Sequence, residues 1–142
     1  TWDTLRKLRD VWDGKLVVKG VLNVEDAIAC QRAGADAVQI SNHGARQLES
    51  APAPISVVSE IRQALDPKFP VFLDSGLRSG EDVLRSLEQG ADFTFLGRIL
   101  QFAIAAAGEE GLLRLWDVLS AELSNAMAQT GLCHLEMQNA EI

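Results

Sequence analysis

Four short apolar runs each lead into residues that could do chemistry. Lys19 follows Leu16-Val17-Val18, and Ser41, Asn42 and His43 follow Ala37-Val38-Gln39-Ile40. Asp74, Ser75 and Gly76 follow Val71-Phe72-Leu73, and Gly97 and Arg98 follow the run from Phe93 to Leu96. His43 is one of only two histidines and lies three residues before Arg46, so both side chains can line one pocket. An imidazole titrating near neutrality can take a proton, and a guanidinium fork suits a carboxylate. Together they describe a base acting on a substrate held by its carboxylate. A histidine in a loop is more often structural, as expected for His134 in the C-terminal tail, so His43 carries weight through its neighbours.

The stretches Asp74-Ser75-Gly76-Leu77-Arg78-Ser79-Gly80 and Leu96-Gly97-Arg98 add a second kind of chemistry. Glycines let backbone N–H groups approach an anion, a helix N-terminus adds partial positive charge, and arginines make bidentate contacts. Asp74 would repel a phosphate but can accept hydrogen bonds from sugar-alcohol hydroxyls. The pair of loops thus suits a phosphorylated cofactor with a polyol arm; the plainer alternative is turn glycines with solvated arginines. Lys19 reads as a fixed positive charge beside a group that becomes anionic during turnover, because burying an unpaired ammonium is costly. Its plainer alternative is a lysine snorkelling to the rim.

A repeated unit supplies the elements that position these groups. Ala33-Gly34-Ala35-Asp36 and Gln89-Gly90-Ala91-Asp92 each end a helical pattern at glycine and lead into a short strand. Strands are expected at Leu16–Lys19, Ala37–Ile40, Val71–Leu73 and Phe93–Leu96, the nearly continuous apolar kind buried in parallel sheets. Helices are expected between and around them. Asn23 and Ser79 each stand three residues before an acid, as helix caps do, and Leu5-Leu8-Trp12, Ile55-Val58-Ile61-Leu65 and Leu112–Leu123 form apolar stripes. Alternating helices and strands imply an α/β fold with a parallel sheet, open or closed into a (β/α)8 TIM barrel. No G-x-G-x-x-G follows the first strand, which disfavours the open dinucleotide-binding sheet. Four strands are half of a barrel of ~250 residues, so residues 1–142 are expected to form its C-terminal half, strands five to eight. The chain, opening on Thr1, reads as part of something longer whose N-terminal half lies outside it.

Composition narrows the partners. Net charge is −7 with pI about 4.7, which argues against an electrostatic grip on nucleic acid or an anionic membrane. Cys30 and Cys133 lie in unrelated segments and make no metal-spaced pair, so reduced thiols in a cytoplasmic protein and no metal site are expected. The longest apolar stretch, Ile99 to Ala107, is too short for the ~20 residues of a membrane span.

The motifs Val17-Val18-Lys19-Gly20, Ser41-Asn42-His43-Gly44-Ala45-Arg46-Gln47-Leu48-Glu49, Phe72-Leu73-Asp74-Ser75-Gly76-Leu77-Arg78-Ser79-Gly80 and Phe95-Leu96-Gly97-Arg98, in this order, closely resemble the FMN-dependent 2-hydroxy-acid oxidases and dehydrogenases, from Thr1 to about Gly131. That family includes glycolate and lactate oxidases and lactate and mandelate dehydrogenases. The resemblance implies FMN-dependent oxidation of an L-2-hydroxy acid of the lactate, glycolate or mandelate class to the 2-oxo acid. It implies His43 as active-site base, also touching substrate, and Arg46 as carboxylate clamp. Lys19 and Ser41 would contact the flavin, Lys19 supporting its reduced anionic form. Asp74, Ser75, Gly76, Leu77, Arg78, Gly97 and Arg98 would hold the ribityl-phosphate arm. Whether His43 takes the α-proton or the hydroxyl proton is open. The resemblance further implies activity only when the N-terminal half completes the site, and homo-oligomers, tetramers in the family. It implies a place in the cytoplasm or at the periphery of the inner membrane, attached there through the other half.

Two departures stand out. Glu49 occupies a position where the family usually has Asp. The chain contains no tyrosine, although the family draws tyrosines and a base-orienting aspartate from the first half of the barrel. Ala45 leans toward the oxidases by the same resemblance. The alternatives are another FMN barrel, such as a type 2 isopentenyl-diphosphate isomerase, against which His43 and Arg46 argue, or a non-catalytic half-barrel fragment.

Overall fold

A computed structural model of the chain describes residues 1–135. Its elements run α1 (Trp2–Val11), β1 (Val17–Val21), α2 (Val24–Arg32), β2 (Ala37–Ile40), α3 (Val58–Ala64), β3 (Val71–Asp74), α4 (Gly80–Glu88), β4 (Phe93–Phe95) and α5 (Arg98–Thr130). The strands form one sheet in chain order β1-β2-β3-β4, with every neighbouring pair parallel. This is the expected α/β order, an arc of parallel strands in which each return passes through a helix.

Helix starts follow the caps. Asn23 and Ser79 accept hydrogen bonds from the backbone of Asp26 and Asp82, and Asp82 reaches back to Ser79 in a full capping box. Gly34 and Gly90, just past the ends of α2 and α4, stand at φ +86° and +104°, where a side chain would be strained. The core lies between the sheet and its helices. Val38, Ile40, Val71 and Leu73 pack against Ala27 and Cys30 of α2 and Val58 and Ile61 of α3.

Several boundaries differ from the sequence expectation. β1 continues beyond Lys19 to Val21, with its register slipping at Gly20, so Lys19 lies inside the strand and not at its end. β3 takes in Asp74, which pairs with Phe95, and β4 stops there, leaving Leu96 outside. Finally, Ile99–Ala107 and the Leu112–Leu123 stripe belong to one helical run, α5, broken at Ala107 and Gly108.

Candidate active site

The carboxyl ends of the four strands carry a continuous hydrogen-bonded network. Lys19 Nζ lies 2.7 Å from Asp74 Oδ2 and donates to Ser41 Oγ at 2.7 Å. Gln39 Nε2 donates to the same Asp74 oxygen at 2.7 Å, and Ser75 Oγ donates to Oδ1 at 2.7 Å. Burial by itself raises the Asp74 carboxyl. Hydrogen bonds from Lys19, Ser41 and Ser75, with the charge of Lys19, outweigh that and hold it below its usual range. The polar groups share one face because parallel register aligns them: Lys19 faces Gln39, which faces Phe72, two residues before Asp74.

His43 leaves β2 on an unusual backbone. His43, Gly44 and Ala45 all have positive φ, at 57°, 70° and 62°. Two of the three are not glycine, and the left-handed region costs such residues about 1–3 kcal/mol each. Three side chains hold the turn. Ser41 Oγ accepts from His43 N–H at 3.1 Å, and Ser75 Oγ accepts from Gly44 N–H at 3.0 Å. Asn42 Oδ1 accepts from Gly44 N–H at 3.0 Å and Ala45 N–H at 3.2 Å. Three successive N–H groups are thus satisfied by polar side chains, and the imidazole is thrown out over β1. A Cβ on Gly20 would lie 2.8 Å from His43 Nε2, so only glycine leaves room for the ring.

The two arginines lie on or against the same turn. Arg46 Nε donates to the His43 carbonyl at 3.2 Å, which ties the guanidinium to the same turn. Arg98, in the first turn of α5, brings its Nη2 within 3.7 Å of where a Gly44 Cβ would be. Neither arginine pairs with a carboxylate among the described residues. α5 begins at Gly97 with no side-chain cap and no acid in its first turn, so its leading N–H groups and dipole favour an anion. Gly76, at φ +89°, has open space beside it, as does Gly97.

The structure therefore brings Lys19, Ser41, His43, Arg46, Asp74, Ser75 and Arg98 to one end of the sheet. Leu77 buries its side chain in the core, which leaves only its backbone to meet a ligand. Arg78 is fixed through its backbone: its N–H donates to Asp82 Oδ2 at 2.9 Å, and its side chain is exposed. His134 lies in the C-terminal tail, past the end of α5.

Four residues contribute in ways that a reading of the sequence does not assign. Asn42 and Gly20 act through turn geometry and close approach. Gln39 is a buried amide that passes for an interruption in an apolar run. Glu122 is a fourth, bonding Gly80 N–H at 2.9 Å from 42 residues away and fastening the Arg78–Gly80 loop to α5.

A parallel α/β arc with a histidine, paired lysine and aspartate, and an anion-favouring helix start at the strands' carboxyl ends has the layout of part of a barrel enzyme's site. All 142 residues match the model of the FMN-dependent dehydrogenase family, and the chain belongs to that family. It is 42% identical over 130 residues to the L-lactate dehydrogenase of Bartonella tribocorum, covering 92% of this chain and 34% of that protein. With the L-lactate dehydrogenase of Vibrio parahaemolyticus it shares 43% identity over 131 residues, 92% of this chain and 35% of the relative. A soluble mutant of the membrane-associated (S)-mandelate dehydrogenase from Pseudomonas putida superposes with TM-score 0.90 at 40% identity, over 98% of this chain and 39% of that one. The chain thus spans between about a third and two fifths of its relatives' length.

The residues present fit FMN. The uncapped start of α5 with Arg98, beside the open Gly76 and Gly97 turns, suits a phosphate. The Asp74–Ser75 pair offers acceptors to a polyol.

Proposed function

We propose that this chain is the strand-five-to-eight half of an enzyme that oxidises an L-2-hydroxy acid of the lactate, glycolate or mandelate class to its 2-oxo acid. The observation that carries this reading is the placement of the His43 imidazole over Gly20, on a turn that also bears Arg46, beside the Lys19–Asp74 pair. Bound FMN would supply the acceptor for the two electrons that leave the substrate. Arg46 would take the substrate carboxylate in its fork. His43 Nε2 would receive the proton released from the substrate, and its seat on a hydrogen-bonded left-handed turn orients it for that role. Lys19 would hold a fixed positive charge beside the group that becomes anionic during turnover. Asp74, Ser75, Gly76, the backbone of Leu77, Arg78, Gly97 and Arg98 would hold the ribityl-phosphate arm, with Ser41 against the flavin. The remaining barrel would supply the rest of the pocket, set the substrate side chain and make any contact with the cytoplasmic face of a membrane. No helix among the described residues is long and apolar enough to cross one.

The test is anaerobic reduction of the complete FMN-loaded barrel by (S)-mandelate and L-lactate, followed by loss of flavin absorbance. His43→Gln is expected to retain FMN and slow reduction by ~10²–10⁴-fold, the range of general-base catalysis. Arg46→Lys keeps the charge but loses the fork, so weaker substrate binding is expected with slower reduction. Reduction of His43→Gln at the parent rate would exclude His43 as the base, and no reduction of the parent protein by either acid, nor by glycolate, would exclude the activity.

A further inference from the structure

Gln39 occupies an odd place. It is buried in the middle of β2, flanked along the strand by fully apolar Val38 and Ile40. Its side chain turns to the sheet face opposite the helices, in register with Lys19. There its amide donates to Asp74 Oδ2 at 2.7 Å, the same oxygen that pairs with Lys19 Nζ. Buried amides are rare without a partner and costly without one. Here the partner is an ion pair. Two donors on one carboxylate oxygen share its charge, so Asp74 grips the ammonium less tightly than it would alone. The ammonium also donates to Ser41 Oγ, and a third N–H points away from both bonds.

We propose that Gln39 is a positioning residue of the flavin site, which sets through Asp74 how much of the Lys19 charge is available to bound FMN. This rests on the placement of Lys19 beside the flavin in the preceding reading. Without the amide, Asp74 would be a more basic acceptor and would draw the ammonium to itself. The charge that favours reduced flavin would then be more fully neutralised, so the reduction potential falls.

The experiment is a double-mutant cycle on the midpoint potential of FMN in the complete enzyme, with Gln39→Leu and Lys19→Met. Gln39→Leu is expected to lower the equilibrium constant for reduction about tenfold, the scale of one hydrogen bond to a charged group. A two-electron couple reads that as about 30 mV. Most of the shift is expected to vanish in the Lys19→Met background. Gln39→Met, closer in length, repeats the measurement should leucine disturb packing. No shift for Gln39→Leu where Lys19→Met does shift the potential overturns the inference and leaves the placement of Lys19 standing. An equal shift in both backgrounds also overturns it, because Gln39 would then act without Lys19. Loss of FMN by both Gln39 variants would assign the residue to cofactor retention instead, against the proposal. If Lys19→Met itself leaves the potential unchanged, the placement of Lys19 fails and this inference fails with it.

Discussion

The histidine turn shows how much of a site is built from residues that do no chemistry themselves. His43 at φ 57° is stable because Ser41, Asn42 and Ser75 collect the N–H groups of residues 43 to 45. Asn42→Ala would remove two hydrogen bonds of the turn, leaving Gly44 N–H on Ser75 Oγ and Ala45 N–H on the carbonyl of residue 42, a loss on the order of 1–3 kcal/mol for two net hydrogen bonds. In the complete enzyme this variant is expected to keep its FMN while flavin reduction slows at least tenfold; unchanged reduction would show that Asn42 does not orient the base. Gly20→Ala attacks the same geometry from the other strand. Its Cβ would meet His43 Nε2 at 2.8 Å on a backbone at φ +97°, so the imidazole must move. Stopped-flow reduction should again fall by tenfold or more with FMN content unchanged, and a normal rate would place the working ring elsewhere. That His43, Arg46 and Lys19 gather at one end of the sheet was legible in the sequence, because each stands at or just past an apolar run. Gly20 and Gln39 were not, because their roles depend on which residue faces them across the sheet.

At the scale of the elements, the repeated Gly-Ala-Asp unit proves to be structural. Asp36 Oδ2 accepts the Leu16 N–H at 2.8 Å just before β1, and Asp92 Oδ2 accepts the Val71 N–H at 2.8 Å at the start of β3. An arginine from the preceding helix clamps each: Arg9 lies 2.8 Å from Asp36 and Arg62 3.5 Å from Asp92. Each arginine stem also passes over the glycine of its unit, Gly34 or Gly90. Both clamps sit at the amino ends of the strands, away from the candidate site, where a barrel keeps its stabilising contacts. The order of helices and strands was readable from this repeat and its caps. The Glu122–Gly80 tie was not, since it depends on how α5 lies against α4. The clamp predicts a pH dependence. The Leu16 N–H lowers the Asp36 carboxyl most; burial opposes this, and Arg9 and Lys15 add to the lowering. With a folded value below the unfolded ~3.9, the unfolded chain takes up this proton first as pH falls. The stabilisation is then fully present above about pH 4 and is lost as pH falls through the folded value. Thermal melts of the complete enzyme should show Asp36→Asn less stable at pH 7, with the gap closing below pH 4. A gap independent of pH would mean that the carboxylate charge contributes nothing. The partial exposure of the pair should make the gap shrink in high salt as well.

The molecule as a whole has one finished face and one unfinished one. Helices cover the side of the sheet that carries Val38, Ile40, Val71 and Leu73. The opposite side carries the site network and, beyond it, an edge-to-face cluster of Phe72, Phe93 and Phe95. Phe72 is buried there, yet Phe93 is 47% exposed, Phe95 41% and Val17 41%. β1 and β4 each pair on one side only among the described residues. Closing the barrel with further strands would cover this face and satisfy both edges together. The 142-residue chain alone should therefore bind a hydrophobic dye such as ANS and sediment as a mixture of associated species. Adding the first half of the barrel should abolish both behaviours. The two exposed rings give the sharper test. Burying the remaining half of each phenylalanine contributes about 1.5–3 kcal/mol for the pair. Phe93→Ser with Phe95→Ser should accordingly weaken assembly of the two halves by roughly ten- to hundredfold, while the chain alone becomes less prone to associate. Unchanged affinity between the halves, measured by titration, would show that this face is not where the barrel closes. A chain that is monodisperse and binds no dye would show that the face is already covered.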